Sequence, residues 1–378
     1  MIGPDRLGQR LSRARRATAD AGAAALLVGV GSDLRYLTGY AGSPSERLTL
    51  LVLPPEGEAV IVAPRLEAMA AAACPAVVAG LATVLPWDET DDPHGLALER
   101  CPGRRSGELL VSDRLWSMHV LALQASAPGA RFGLATPALR RLRMVKDPDE
   151  IALLRLAAQA ADRVIEAIAT GSLIGRTEAD VAAEVRLRLV AEGHDEASFA
   201  IVASGPNSAS PHHDASDRVI RAGDPLVLDI GGSLGGYGSD ITRTIWVGGG
   251  DPSSGPDPEF VRIFDLVREA QARATAAVRP GIRCEQLDAV ARGIIERGGF
   301  GARFLHRLGH GIGLEVHEDP YLVAGNPEPL EPGYAFSIEP GIYLEGRFGV
   351  RIEDIVVCGV DGPIVLNEAT RDLRIVAG

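Results

Sequence analysis

Lysine is all but missing from this sequence. Of 38 basic residues in 378, only Lys146 is a lysine. Arginine and alanine are abundant instead, which we read as nucleotide-composition bias and not as mechanism. Cysteine is scarce as well. Cys74, Cys101, Cys284 and Cys358 stand far apart and form no CxxC pair. A zinc ribbon and a thioredoxin-type site are therefore excluded, and no disulfide framework is expected at this length. Reduced thiols point to the cytoplasm. Long apolar runs are also absent. The stretch 21–30 is too short to span a bilayer, and charged residues follow Met1 at once, so neither a membrane span nor a signal peptide is expected. Arg13, Arg15 and Arg16 faintly suggest a transit peptide, but a helix feeding a strand explains them better.

Excess positive charge is missing too: the formal net charge is −12. Residues 1–140 carry 14 arginines against 14 acids, and the remainder carries 24 basic residues against 36 acids. A nucleic-acid binder would show a basic face. No nucleic acid and no membrane is expected as a partner. The acidic excess of the second part either solvates a surface or holds cations.

What is present describes a globular chain, with 46% hydrophobic and 23% charged residues. Its length suggests two domains, which we place at 1–140 and 141–378. No internal repeat or low-complexity tract stands out. In the first domain, helices over 6–21, 65–73, 96–100 and 117–124 alternate with strands over 24–30, 48–53, 59–62 and 108–112. That pattern predicts an α/β layer domain. His94 and His119 look isolated there. The second domain opens on "KDPDE". Asp147 is a suitable N-cap, Pro148 fits N1 and Glu150 sits at N3. Helices are expected from 148, over 177–193, over 258–278, and over 285–297 with Gly298 as its C′ residue. Strands are expected over 199–203, 225–231, 242–247, 335–338 and 350–357. This is an α+β domain. The segment 248–257 reads as a surface turn.

Acids stand where a strand core should be. Asp229 lies in "LVLDIGG", Asp240 in "SDITRTIWV", Glu339 in "AFSIEPGIY" and Glu353 in "GVRIEDIVV". An acid in such a run is costly unless it is paired or on a metal. Four converging carboxylates would repel one another, and two divalent ions would balance them. The nearby run "HRLGHGIGLEVHE" adds histidines. Carboxylates with one imidazole form a hard site suited to Mn²⁺, with Fe²⁺, Co²⁺ or Zn²⁺ as options. Five glycines between 231 and 238 read as a hairpin turn that sets Asp229 beside Asp240. They do not read as a phosphate loop, which would need a following helix.

The order Asp229, Asp240, His310, Glu339, Glu353 resembles the dinuclear-metal pita-bread peptidases, which include methionine aminopeptidase, aminopeptidase P and prolidase. The resemblance spans the chain, with a creatinase/prolidase-type N-terminal domain and a pita-bread catalytic domain. "SGPNSASPHHDASDR", "GHGIGLEVHE", "SIEPG" and "RIED" fit the proline-specific branch, and a prolidase-like Xaa-Pro dipeptidase fits best.

The resemblance implies a role for each residue. Asp229 would hold one metal, Asp240 and Glu353 would bridge two, and His310 and Glu339 would complete the second. A metal-bridging hydroxide would attack the peptide bond. Glu339 would shuttle its proton, His317 would meet the developing oxyanion and His212 would contact substrate. His306 is a pocket candidate, and Arg351 would orient Glu353 or Asp229 or contact substrate. His213 fits no pattern. Tyr237, Phe199 and Tyr343 are candidate walls for the proline ring. Arg47, in "AGSPSERL", is our candidate reader of the substrate carboxylate, reaching from a neighbouring subunit of a homodimer. The open alternatives are an Xaa-Pro aminopeptidase acting on longer peptides, a metal-free binding protein or amidinohydrolase, and a dinuclear hydrolase of other amides.

Overall fold

Proline opens the first helix. In the computed structural model, which describes residues 2–249 and 255–376, Pro4 stands at the start of α1 (Pro4–Asp20). Its fixed φ suits that position, where the missing N–H costs nothing. Leu7, Leu11, Ala14 and Thr18 recur at helical spacing and are buried. The chain divides into two compact units, Met1–Arg143 and Met144–Gly378.

The first unit continues through β1 (Ala25–Gly29), α2 (Ser32–Thr38), β2 (Leu50–Leu53), β3 (Val60–Pro64), α3 (Ala68–Ala72) and α4 (Pro75–Val78). It ends with β4 (Thr83–Trp87), α5 (Pro93–Glu99), β5 (Glu108–Val111), α6 (Ser117–Ser126), β6 (Arg131–Leu134) and α7, whose span Thr136–Met144 reaches the unit boundary. Its strands form one mixed sheet in the order β4-β3-β2-β1-β5-β6. Helices α2 and α4 and strands β4 and β6 are too short to show a clear period, and the amphipathic α7 was not anticipated either. His94 and His119 are not isolated: their ring nitrogens lie 3.2 Å apart.

The second unit opens as its first motif predicts. Helix α8 (Pro148–Ala169) is capped by Asp147, which accepts from the backbone of Asp149 and Glu150, while Glu150 accepts from Asp147 N. The other oxygen of Glu150 takes the Tyr237 hydroxyl at 2.9 Å. Tyr237 is therefore a strut between α8 and the glycine-rich hairpin, not a pocket wall. Next come α9 (Glu178–Ala191), β7 (Glu196–Ser204), β8 (Asp224–Leu234), β9 (Tyr237–Gly238) and β10 (Ile241–Val247). Then follow α10 (Pro258–Ala277) and α11 (Cys284–Arg297). The residue with the left-handed φ after α11 is Gly299, at +90°; Gly298 stays in the right-handed region at −70°.

The remaining elements are short strands: β11 (Gly309–Gly311), β12 (Glu318–Leu322), β13 (Ala335–Ile338), β14 (Gly341–Leu344), β15 (Phe348–Arg351), β16 (Asp354–Cys358), β17 (Pro363–Val365) and β18 (Ile375–Val376). The strand expected over 350–357 is in fact broken between β15 and β16, and Glu353 sits in the break. One sheet runs β18-β10-β8-β7 with β9 folded onto β8, and a second runs β12-β11-β13-β16-β17. Leu226, Leu228 and Ile230 of β8 pack on Ala161, Val164 and Ile165 of α8 and Val185 and Leu189 of α9. A second cluster joins α10 and α11 to Phe336, Ile338 and Val356. The expected turn 248–257 lies partly outside the described residues. Among the described residues no helix is long and apolar enough to cross a membrane.

Candidate metal centre

Side chains of a strand alternate between its faces. Leu228 and Ile230 face the α8–α9 core, so Asp229 between them faces the other way. Its register partners are Ile201 on β7 and Thr242 on β10. The glycine hairpin returns the chain so that Asp240 stands just before β10. Glu339 follows β13, and Glu353 occupies the break between β15 and β16. His310 is the middle residue of β11. A Cβ at Gly309 would come within 1.9 Å of Ser337 O, and one at Gly311 within 2.1 Å of Asp319 O. Only glycine fits on either side of this histidine.

Together these residues form three overlapping groups: Asp229, Asp240 and Glu353; His310, Glu339 and Glu353; and Asp240, His310 and His317. Within each group the ligand atoms lie within 4.8 Å of one another. Asp240, His310 and Glu353 are at most 4% exposed. His310 Nε2 lies 3.3 Å from Glu339 Oε1 and 3.5 Å from Asp240 Oδ2. Its Nδ1 faces the Gly311 carbonyl at 3.1 Å, which can only accept, so Nδ1 carries the proton and Nε2 offers a lone pair. Burial and then the neighbouring His317 hold the imidazole neutral, down to about 3.

Asp240, Glu353 and Glu339 are shifted in the direction that burial and mutual repulsion dictate. Burial, then Asp229 and Glu339, pushes Asp240 well above the usual range. Burial, then Asp240, does the same to Glu353. Burial raises Glu339 to about 7, with Asp229 adding to the rise and Arg351 opposing it. Two oxygens, Asp229 Oδ1 and Glu353 Oε1, are buried with no hydrogen-bond partner. A buried charge without a partner is costly, and a cation would satisfy both atoms. The donor set is oxygen-rich with one imidazole, so the residues fit hard divalent ions.

The partners of these groups are fixed in turn. Thr242 donates to Glu353 Oε2 at 2.7 Å. Ser337 accepts from His310 N and donates to Glu339 Oε1, both at 3.1 Å. Arg351 donates to Asp229 Oδ2, to Thr242 Oγ1 and to the Tyr343 hydroxyl. It is buried, it holds Asp229 in place, and it lines the cavity over the cluster. Tyr343 also bonds His306 Nε2 at 2.9 Å, and His306 Nδ1 bonds the Arg307 carbonyl at 2.8 Å. Both His306 nitrogens are therefore engaged within the protein. Tyr343 acts as a link in this chain and not as a wall.

A cavity of about 560 Å³ opens over the cluster. Phe199, Ile201, Pro211 and Val316 give it an apolar wall, while His212, His306, Arg307 and His317 line its polar side. Phe199 is thus the one expected wall residue that lines it. The ring of His317 lies 4.0 Å from that of His310. Arg307 escaped the sequence reading. It stacks on Tyr321 at 4.2 Å, and no carboxylate among the described residues pairs with it. Its place in "HRLGH", directly after His306, was the available signal. Lys146 also went unread: its ammonium meets Glu318 at 2.6 Å, and both side chains are buried. Glu318 directly follows His317. A Cβ at Gly313 would come within 3.0 Å of Lys146 Cε and 2.5 Å of the Glu318 carboxylate, so the pair has little room. Arg47 lies in the first unit, where Glu46 and Glu89 engage its guanidinium. His213 is drawn onto Glu178 at 2.8 Å.

A neutral imidazole and converging carboxylates beneath a half-apolar cavity define a metal-dependent hydrolase site. Comparison with known proteins agrees. Residues 152–359 match metallopeptidase family M24, and residues 10–145 match the creatinase/prolidase N-terminal domain. The chain is 48% identical over 369 residues to the probable dipeptidase PepE of Mycobacterium tuberculosis, covering 97% of this chain and 96% of that one. It is 35% identical to the Xaa-Pro dipeptidase of Lactobacillus helveticus, covering 91% and 92% of the two chains. The solved prolidase of Thermococcus sibiricus superposes with a TM-score of 0.90 at 36% identity, over the full length of both chains. The chain belongs to metallopeptidase family M24, as an Xaa-Pro-dipeptidase-like member with a creatinase-type N-terminal domain and a pita-bread catalytic domain. It is a peptidase.

Proposed function

We propose that the chain hydrolyses the Xaa-Pro bond of dipeptides with two divalent ions, most simply Mn²⁺, at the carboxylate cluster. One observation carries the reading: the cluster, an apolar wall and an unpaired Arg307 guanidinium all face one cavity. Asp229, Asp240, His310, Glu339 and Glu353 would hold the ions. Bound there, divalent ions supply Lewis acidity at the peptide carbonyl and make an attacking water acidic near neutral pH. Glu339 takes the water's proton and passes it to the leaving proline nitrogen. His317 donates to the carbonyl oxygen as charge develops on it, and His212 contacts the substrate beside it.

An imide bond to proline offers no N–H and presents a rigid ring. The wall of Phe199, Ile201, Pro211 and Val316 supports binding of such a ring. Arg307 supports recognition of the free carboxylate that a dipeptide carries, because a guanidinium can bind a carboxylate through two hydrogen bonds. Arg47 would add a second positive end-stop from a partner subunit of a homodimer. Four free, buried cysteines support a reducing compartment, the cytoplasm.

The test is hydrolysis of Ala-Pro against Ala-Pro-Ala by Mn²⁺-loaded protein, with Glu339→Ala as control. Cleavage of Ala-Pro well above Ala-Pro-Ala, lost in the control, is the expected result. A preference for the tripeptide would replace this reading with an aminopeptidase. Cleavage of neither would end it.

A further inference from the structure

His213 is a histidine of the motif that the proposed reaction leaves without a task. Its Nε2 lies 2.8 Å from Glu178 Oε2. The Glu178 side chain, at the start of α9, is 0% exposed. One of its oxygens accepts from Ser204 N and Oγ, both at 2.7 Å, and from Asn207 Nδ2 at 3.1 Å. The other accepts from Ser216 Oγ at 2.6 Å, Ser216 N at 3.1 Å and Asn207 Nδ2, besides His213. Burial pushes this carboxyl up, but the bonds from Ser204 and Ser216 outweigh it and bring it down to about 2. An ionised carboxylate only accepts, so His213 Nε2 carries the proton.

Ser204 is the last residue of β7, and Ser216 lies part-way along the connection to β8, which begins at Asp224. One carboxylate therefore ties the two ends of the segment 204–216 together, and through Asn207 and His213 it holds two points between them. His212 lies in that segment. Its ring is exposed in the cavity, and none of the described residues makes a hydrogen bond to it. The two imidazoles part company: His212 lines the cavity, while His213 is held at Glu178 on the α9 side.

We propose that Glu178 and His213 are positioning residues whose hydrogen bond sets the aim of His212 at the substrate. This rests on the peptidase reading above, in which His212 meets the peptide. Holding an otherwise untethered ring in one orientation avoids its ordering cost when substrate binds. Ångström-scale misplacement of a contacting group costs about 10- to 100-fold.

The test is a double-mutant cycle on Mn²⁺-loaded, full-length protein assayed with Ala-Pro. Elemental analysis of each variant serves as the control for metal content. His213→Ala is expected to lower kcat/KM about 10- to 100-fold with metal content unchanged. His213→Gln, whose amide can still donate to Glu178, recovers most of that loss. On top of His212→Ala, His213→Ala costs less than about twofold, because the aimed group is already gone. Equal losses in the two backgrounds, or no recovery by glutamine, would overturn the proposal. Should His213→Ala not fold, His213→Asn, too short to reach Glu178, takes its place.

Ring NMR of the diamagnetic Zn²⁺ form gives a readout independent of turnover. The His212 resonance, identified by its loss in His212→Ala, is expected to move or broaden in His213→Ala and to be restored in His213→Gln. An unmoved resonance counts against the tie. If the parent protein fails to cleave Ala-Pro, the peptidase reading falls, and the NMR still judges the tie.

Discussion

The guanidinium of Arg351 donates to Oδ2 of Asp229, and Oδ1 of that same carboxylate is buried with no hydrogen-bond partner. Glu353 repeats the arrangement: Thr242 takes Oε2 and Oε1 has no partner. In each carboxylate one oxygen fixes the orientation of the group, and the other is placed where a cation could meet it. The protein's own hydrogen bonds thus build a half-satisfied site, which a cation would complete.

Arg351→Lys should weaken metal binding. Lysine keeps the charge but loses the fork that reaches Asp229, Thr242 and Tyr343 together. Loss of a partner that orients a ligand typically lowers metal affinity about 10- to 100-fold. Competition with a fluorescent chelator measures it. An affinity within about twofold of the parent would show that Asp229 orients itself.

Metal should stabilise the protein more as pH rises. Without metal, burial holds Glu339 up at about 7 against an ordinary 4.5, and it raises Asp240 and Glu353 in the same direction. The folded carboxyls keep protons that the unfolded chain has already released. Metal-free stability from these groups therefore falls as pH climbs from 4.5 toward about 7. Ions displace those protons. The Tm gain on adding Mn²⁺ should grow between about pH 5 and about pH 8, as read by scanning fluorimetry. A gain that shrinks over this window contradicts the pKa directions.

Glu178 contributes in the opposite sense. Its folded pKa lies near 2 against an ordinary 4.5, so its contribution is complete above 4.5 and is lost as pH falls toward about 2. The shift corresponds to a stability term of order 3 kcal/mol. Glu178→Gln should be less stable than the parent at neutral pH, and the gap should close on acidification. Paired urea titrations at several pH values measure this.

The two arginines proposed to read the substrate end can be separated. Arg307→Ala should raise KM for Ala-Pro about tenfold or more and leave Ala-Pro amide nearly unchanged, since the amide has no carboxylate to bind. Arg47→Ala should raise KM for Xaa-Pro dipeptides and leave longer peptides alone. Equal effects on both substrate lengths would remove Arg47 from the site.

The carboxylate cluster was legible because burying an acid is expensive. Asp229 amid Leu228 and Ile230 has no bland explanation when Asp240, Glu339 and Glu353 repeat the anomaly. The capping box at Asp147 was legible because its partners lie three residues apart. What escaped notice depends on contacts between distant elements. Glu178 looks like an ordinary first-turn acid, and only the fold brings Ser204, His213 and Ser216 to it. Tyr237 and Tyr343 are aromatic like any wall residue, and their hydroxyls, not their rings, decide their roles. The break at Glu353 was hidden because Val350 and Ile352 before it and Ile355, Val356 and Val357 after Asp354 are apolar, and such residues read as one strand whether or not the ladder continues.

Lys146 is the chain's sole lysine, and it is shut in with Glu318 directly beside His317. Amine-directed chemistry has otherwise only an α-amino group to attack. Acylation of a single side chain is therefore a clock for the catalytic unit: each Lys146 modified records one opening of the wall behind the histidine loop.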